Sequence, residues 1–286
     1  MGLSVLAGGG CAGSGNAEPS PASQSGGAGG AGGDATAATG AATAGAAGLL
    51  STCAGKAPAA VAATGGVELP IQFVVNQAPM TIGAPAAGRT GLEYRLSALK
   101  LFLAEPTLLD ANGHELKAQI VGADAKPLPY GIQLVSADDP ATETLRLSVP
   151  QGNYTALTFG VGVPAGCNAI SSTDAVYPLN PDGEMFWSWG SQFLFIRIEG
   201  ASRMPPATDF TTFYRHVGYD QAYTRLTVPG SISVAASGSG PTLSLDVDLL
   251  LKGGEGASSL APSGSRRVPD GWVVDNLDTQ QVFSLR

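Results

Sequence analysis

Eleven residues near the C-terminus, Thr242 to Lys252 (TLSLDVDLLLK), set Leu243, Leu245, Val247, Leu249 and Leu251 against Thr242, Ser244, Asp246 and Asp248. Alternation of this kind has the two-residue period of a pleated strand. It predicts a half-buried strand with Asp246 and Asp248 on the solvated face. Similar runs occur at 68–75 (ELPIQFVV), 93–103 (EYRLSALKLFL), 143–150 (ETLRLSVP), 153–164 (NYTALTFGVGVP), 192–200 (QFLFIRIEG) and 222–235 (AYTRLTVPGSISVA). Turn signals separate them, among them Asp110-Ala-Asn-Gly113, Val149-Pro-Gln-Gly-Asn153 and Asn180-Pro-Asp-Gly183. No amphipathic helix longer than two turns stands out. Seven or more strands with Pro/Gly turns predict an all-β fold, an antiparallel β-sandwich.

The strand-like pattern does not reach the N-terminus. Residues 1–66 hold three charged side chains, Glu18, Asp34 and Lys56, and no aromatic, in runs such as SQSGGAGGAGGDATAATGAATAGAAG. Such a segment buries too little apolar surface to offset its ordering entropy, and reads as a flexible tether. The folded part is then 67–286, long enough for a full core. A formal charge of −8, with 15 scattered Lys and Arg, argues against a nucleic-acid partner, because neutralising phosphates needs clustered cations. No apolar run approaches the length of a membrane span.

The first residues, MGLSVLAGGGCAGSGNAEPS, resemble the end of a bacterial lipoprotein export signal, in which Cys11 would become the lipidated first residue; an Ala/Gly tail with an incidental cysteine is the alternative. With Cys11 lipidated, Cys53 and Cys167 remain as an even pair for a disulfide in an oxidising compartment, the periplasm or cell envelope. A three-cysteine metal site competes with that pairing, but the wide spacing offers no CxxC unit.

Candidates for chemistry are few. Of the two histidines, His114 sits in LLDANGHELKA at a hairpin tip, and His216 sits in DFTTFYRHVGYD among Phe213, Tyr214 and Tyr219, as a packed edge residue or as a ligand in an aromatic shell. No GxSxG elbow or other nucleophile motif accompanies either one. The acidic pairs Asp138-Asp139 and Asp246/Asp248 read as a turn and as a strand face, and Gly160-Val-Gly162 lacks the following helix of a phosphate site. The remaining feature is GEMFWSWGSQFLFIRIEG (183–200), which places Trp187 and Trp189 on one strand face, where both would serve equally as core.

The order of motifs around that stretch resembles the methanobactin-associated copper protein family, MbnP. Gly152, Tyr154, Phe159, Gly162 and Val163 fit its turn-strand unit, and Pro178, Leu179 and Asn180 its P-L-N segment. Met185, Phe186, Trp187 and Trp189 fit M-F-W-x-W, Ile198, Glu199 and Gly200 the strand end, and His216 and Gly218 the later H-x-G. The resemblance covers about residues 68–252. It implies an exported β-sandwich that binds copper and is not itself an enzyme. It further implies that Trp187 or Trp189 is oxidised to kynurenine by a partner di-haem enzyme related to cytochrome c peroxidases, which would turn a packing residue into a metal ligand. His216 is the histidine that maps onto the family pattern. Where family members commonly carry a further histidine, this chain has Phe73-Val-Val-Asn76-Gln77 and Cys167-Asn168. Ligand softness then adds Met80 or Met185, with Asn168 as a ligand or supporting residue, and His114 is the other imidazole. A metal-free surface or periplasmic binding module is the alternative reading of the whole chain.

Overall fold

The structure, a computed structural model, describes Cys53 and residues 64–171, 174–180, 184–187, 192–251 and 271–286. Of residues 1–66 only Cys53 and 64–66 are described, with Gly65 and Gly66 already in a strand; Cys11 and the rest of that segment lie outside the described residues, as do Trp189 and 181–183 of the Asn180-Pro-Asp-Gly183 turn.

In chain order the first strands are Gly65–Val75 (β1), Ala78–Pro79 (β2), Pro85–Ala87 (β3), Glu93–Asp110 (β4), Glu115–Lys117 (β5), Gln119–Ile120 (β6), Ile132–Ser136 (β7) and Thr144–Val149 (β8). There follow Gly152–Val161 (β9), Phe186–Trp187 (β10), Gln192–Arg203 (β11), Thr211–Gly218 (β12), Thr224–Val234 (β13), Leu243–Asp246 (β14) and Phe283–Leu285 (β15). Short helices cover Ala165–Asn168 (α1), Val247–Leu250 (α2) and Gly271–Thr279 (α3).

These strands form two sheets. The smaller runs β15-β14-β1-β8-β6 with β2 on β1; the larger runs β10-β11-β4-β9-β13 with β12 on β11 and β3, β5 and β7 on β4. Alternation explains the buried faces: Val67, Leu69, Ile71 and Phe73 of β1 are buried, while Glu68, Pro70 and Gln72 between them are exposed. The inner faces of both sheets merge in one core, bridged by Phe159 of β9 and Phe283 of β15, whose ring centroids stand 5.0 Å apart, edge to face. The turn between β8 and β9 is tied by Tyr154, whose hydroxyl donates to the Pro150 carbonyl at 2.6 Å, as in the tyrosine corners of other sandwiches. The disulfide joins Cys53 to Cys167 of α1, 114 residues apart, with both cysteines buried.

The all-β, mostly antiparallel architecture is the one the sequence predicts, and three details of it are corrected. Every ladder between these strands is antiparallel except β1–β14, which is parallel, with Ile71 opposite Leu243 and Phe73 opposite Leu245. Thr242–Lys252 is not one strand: β14 stops at Asp246, whose carboxylate accepts from the amides of Asp248 (3.1 Å) and Leu249 (3.3 Å) and so starts α2. Nor are the two aspartates solvated. They are 5% and 6% exposed, and Arg89 reaches Asp246 Oδ2 at 2.6 Å and Asp248 Oδ2 at 2.9 Å, while the Tyr94 hydroxyl donates to Asp248 Oδ1 at 2.9 Å. Third, α3 has nine residues, more than the two turns expected, and buries Val273, Asn276 and Leu277.

Candidate functional site

β11 runs out to Arg203, the chain turns through 204–210, and β12 returns antiparallel beside it, with Arg197 opposite His216 and Glu199 opposite Tyr214. On β12 the side chains of Phe213, Arg215 and Val217 are buried, so Tyr214 and His216 point to the outer face. Across the sheet Ser136, Lys100, Arg197 and His216 stand in one cross-strand row.

That row is wired by ion pairs. His216 Nε2 lies 2.8 Å from Glu199 Oε1, and Arg197 binds the same carboxylate at both oxygens, Nε to Oε1 at 2.8 Å and a terminal nitrogen to Oε2 at 3.1 Å. Arg197 also reaches Glu184 Oε2 at 2.6 Å, and Glu184 continues to Lys100 at 3.4 Å. Burial works to raise the Glu199 carboxyl, but the bonds from Arg197 and His216 outweigh it and leave it below the usual carboxylate range. Lys100 and then Arg197 hold Glu184 low as well. With the proton of a neutral imidazole on Nε2, donating to Glu199, the lone pair of His216 sits on Nδ1. A carboxylate fixing one ring nitrogen is how proteins orient a histidine for a metal at the other.

The tryptophan segment enters the same region. β10 pairs with the start of β11, Phe186 opposite Phe193 and Trp187 opposite Gln192. Trp187 is 5% exposed, with its ring 5.3 Å from that of Tyr219. Its six-membered ring lies over Gly218, where a Cβ would stand 2.8 Å from Cζ3. Gly218 is two residues past His216 on β12, opposite the bulge between Leu194 and Ile196 of β11, so the indole seat and the imidazole lie roughly 6.5 Å apart along the strand.

The other predicted residues do not join them. His114 is 75% exposed at the β4–β5 turn, its Nδ1 3.0 Å from Oδ2 of Asp110, which itself ends β4 ten residues and roughly 30 Å of strand from Lys100. Met80 packs against the core beside β2 of the smaller sheet, its amide donating to Phe73. Met185 is buried next to Trp187, and its carbonyl accepts from Leu194. Asn168 is fully engaged as a bracket, its Nδ2 donating to Asp220 at 2.8 Å and its Oδ1 accepting from the Phe193 amide at 3.2 Å. His216 thus fits copper as one imidazole donor. Among the described residues no group of three or more His, Cys, Asp or Glu is placed to hold a metal, so the described donors alone do not complete a site.

A family model, MbnP, matches residues 64–259. The chain belongs to the MbnP family. Among solved structures, MbnP from Methylosinus trichosporium aligns with 19% identity and a TM-score of 0.48, covering 71% of this chain and 82% of that one. No curated protein matches the chain.

In this MbnP-family chain, sequence reasoning passed over Glu199 as a partner of His216, and Arg197, Glu184 and Lys100 as its continuation. The signal was present in IRIEG: Arg197 and Glu199, two apart in a strand, share a face and meet whatever the returning strand carries. The glycine of the H-x-G motif also gains a physical role, as the seat of the indole.

Proposed function

We propose that this MbnP-family chain is an exported copper-binding protein, not an enzyme, in which His216 supplies an imidazole through Nδ1. In the same reading Trp187 or Trp189 is oxidised to kynurenine by a partner di-haem enzyme related to cytochrome c peroxidases. The observation that carries the reading is a buried indole seated against Gly218, two residues along β12 from a carboxylate-oriented imidazole. Bound copper would supply a redox-active Lewis acid. The chain's own part is to fix the imidazole by Glu199, to neutralise that carboxylate by Arg197, and to keep Trp187 dry against Gly218 and Tyr219. Oxidation to kynurenine would open the indole and replace its ring N–H by an aryl amine and a ketone, adding donors to a site that has one imidazole.

Export is supported by the Cys53–Cys167 disulfide, a bond that oxidising compartments permit, and a lipid anchor at Cys11 belongs to the same proposal. No helix among the described residues is long and apolar enough to cross a membrane. The test is co-expression with the partner enzyme, peptide mass mapping across Met185–Arg197, and copper titration of the wild type against His216→Ala. Oxidised tryptophan and weakened binding in the variant are expected. Unmodified tryptophans, or equal affinity of the two proteins, would overturn the corresponding half. Equal affinity would move the ligand search to His114 and Met80, whereas no copper binding by either protein selects a metal-free binding module, a reading favoured by the exposed apolar side chains Val176, Tyr177 and Tyr214.

A further inference from the structure

The other half of the larger sheet holds a cluster that the proposed function does not use. β4 shifts its register against β9 between Ala104 and Thr107, and Glu105 in that bulge has φ +50°. A non-glycine residue in the left-handed region is strained and persists where its surroundings over-determine it. Here Arg225 does so, donating to the Glu105 carbonyl and to Thr107 Oγ1, each at 3.2 Å. The bulge aims the carboxylate at Tyr223, whose hydroxyl donates to Glu105 Oε2 at 2.6 Å. Room for that hydroxyl exists because position 160 is glycine: a Cβ on Gly160 would overlap the Tyr223 oxygen. The Gly160-Val-Gly162 pair is therefore a packing device, with Gly162 making the same concession to Phe195.

Two tyrosines of the described residues donate to carboxylates, and they differ in one respect. Asp248, the acceptor of Tyr94, is also bound by the Arg89 guanidinium, so accepting a proton would break an ion pair. The Glu105 carboxylate has no ion pair among the described residues, and Arg225 turns instead toward Glu115 at 3.6 Å. Burial first, and then the bond to Glu105, push the Tyr223 phenol up, so it keeps its proton at neutral pH. Removing an electron from such a phenol makes it strongly acidic, and the electron leaves readily where a base can take the proton in the same event.

We propose that Tyr223 is a redox-active tyrosine with Glu105 as its built-in proton acceptor. An outer-sphere one-electron oxidant of the class of high-potential metal complexes, such as ruthenium(III) polypyridyl, takes an electron from the ring, the Tyr223 O–H bond breaks, and an O–H bond forms at Glu105 Oε2. The products are a neutral phenoxyl radical, a neutral carboxylic acid and the oxidant reduced by one electron; return of an electron reverses both transfers. One hydrogen-bonded turn, Ala222 N to Tyr219 O at 2.9 Å and Tyr223 N to Asp220 O at 3.2 Å, separates Tyr223 along the chain from Tyr219, whose ring centroid stands 5.3 Å from that of Trp187. None of this requires copper or a partner enzyme.

The test uses the full-length chain without metal, flash-oxidised by a photogenerated ruthenium(III) polypyridyl complex and followed by electron paramagnetic resonance. A long-lived tyrosyl signal is expected that narrows with ring-deuterated tyrosine, is lost in Tyr223→Phe, persists in Tyr94→Phe, and forms more slowly in Glu105→Gln and, for the wild type, in D2O. An undiminished long-lived signal in Tyr223→Phe overturns the assignment. Equal rates in H2O and D2O overturn the role of Glu105, even if Glu105→Gln does not fold.

Discussion

Gly218→Ala tests whether the indole seat is as tight as its geometry indicates. An added methyl would stand 2.7 Å from the Phe193 carbonyl oxygen, 2.8 Å from Trp187 Cζ3 and 3.2 Å from Cη2. The first obstacle is backbone and the other two belong to a ring confined by Tyr219, so none can yield at little cost. Overpacking of this kind costs about 1–3 kcal/mol. For a domain of this size that lowers Tm by roughly 2–12 °C. Gly66→Ala is the internal control, since its nearest atom, the Leu147 carbonyl oxygen, is 3.6 Å away, and it should stay within about 0.5 kcal/mol of wild type. Thermal melts in the Trp187→Phe background separate the two obstacles. Phenylalanine lacks the outer ring carbons, so Gly218→Ala should cost less there, with a coupling of about 0.5–3 kcal/mol. Additive effects, or a Gly218→Ala melt like that of Gly66→Ala, would show that Trp187 does not rest on this glycine.

Arg89→Ala leaves Asp246 and Asp248 as buried carboxylates without their cation; because Arg89 is itself 34% exposed, the loss should fall below that of a fully buried pair, at about 2 kcal/mol in urea unfolding, and an unchanged midpoint would refute the latch. Reducing the Cys53–Cys167 bond releases a 114-residue separation, worth about 4–5 kcal/mol in the chain-entropy model, so Tm should fall on reduction, and thiol titration of oxidised, folded Cys11→Ser protein should find no free thiol. Glu184 and Glu199 are held below their unfolded values, so their contribution is complete above about pH 4.3 and is lost as pH falls through the lower folded values; urea midpoints measured from pH 6 to 3 should fall on the acid side, less so in Glu199→Gln, and an identical acid limb in that variant would remove Glu199 from the account.

Where one face of a strand is solvated and the other buried, the fold was legible in the sequence. Leu145, Leu147 and Val149 of β8 alternate with half-exposed Thr144, Arg146 and Ser148, and no distant residue alters that pattern. Thr242–Lys252 shows the same alternation and divides after Asp246. The reason is that aspartate can cap a helix, and Arg89, 157 residues earlier, supplies the charge that lets two carboxylates leave water. Period-2 patterning cannot see a partner so far away. The stripe of α3 is hidden for a different reason: Asn276 occupies its buried face and satisfies its amide on the Leu250 carbonyl at 3.0 Å, so a polar residue interrupts the apolar spacing of Val273 and Leu277.

The site is legible in its parts and not in its assembly. His216, Gly218 and Trp187 were each marked by motif, but the sequence states no reason for the glycine, because the ring it admits lies thirty-one positions earlier. The turn through 204–210 closes that distance by pairing β11 with β12, and the same pairing sets Glu199 beside His216, since residues in adjacent rows of neighbouring strands lie within reach of long side chains. One hairpin therefore does two things at once: its outer face orients an imidazole, and its last residue gives up a side chain so that an indole can lie against it. A substitution that preserved the histidine but filled the glycine would keep the imidazole and displace the indole, so the two halves of H-x-G are separable by experiment even though a single strand carries both.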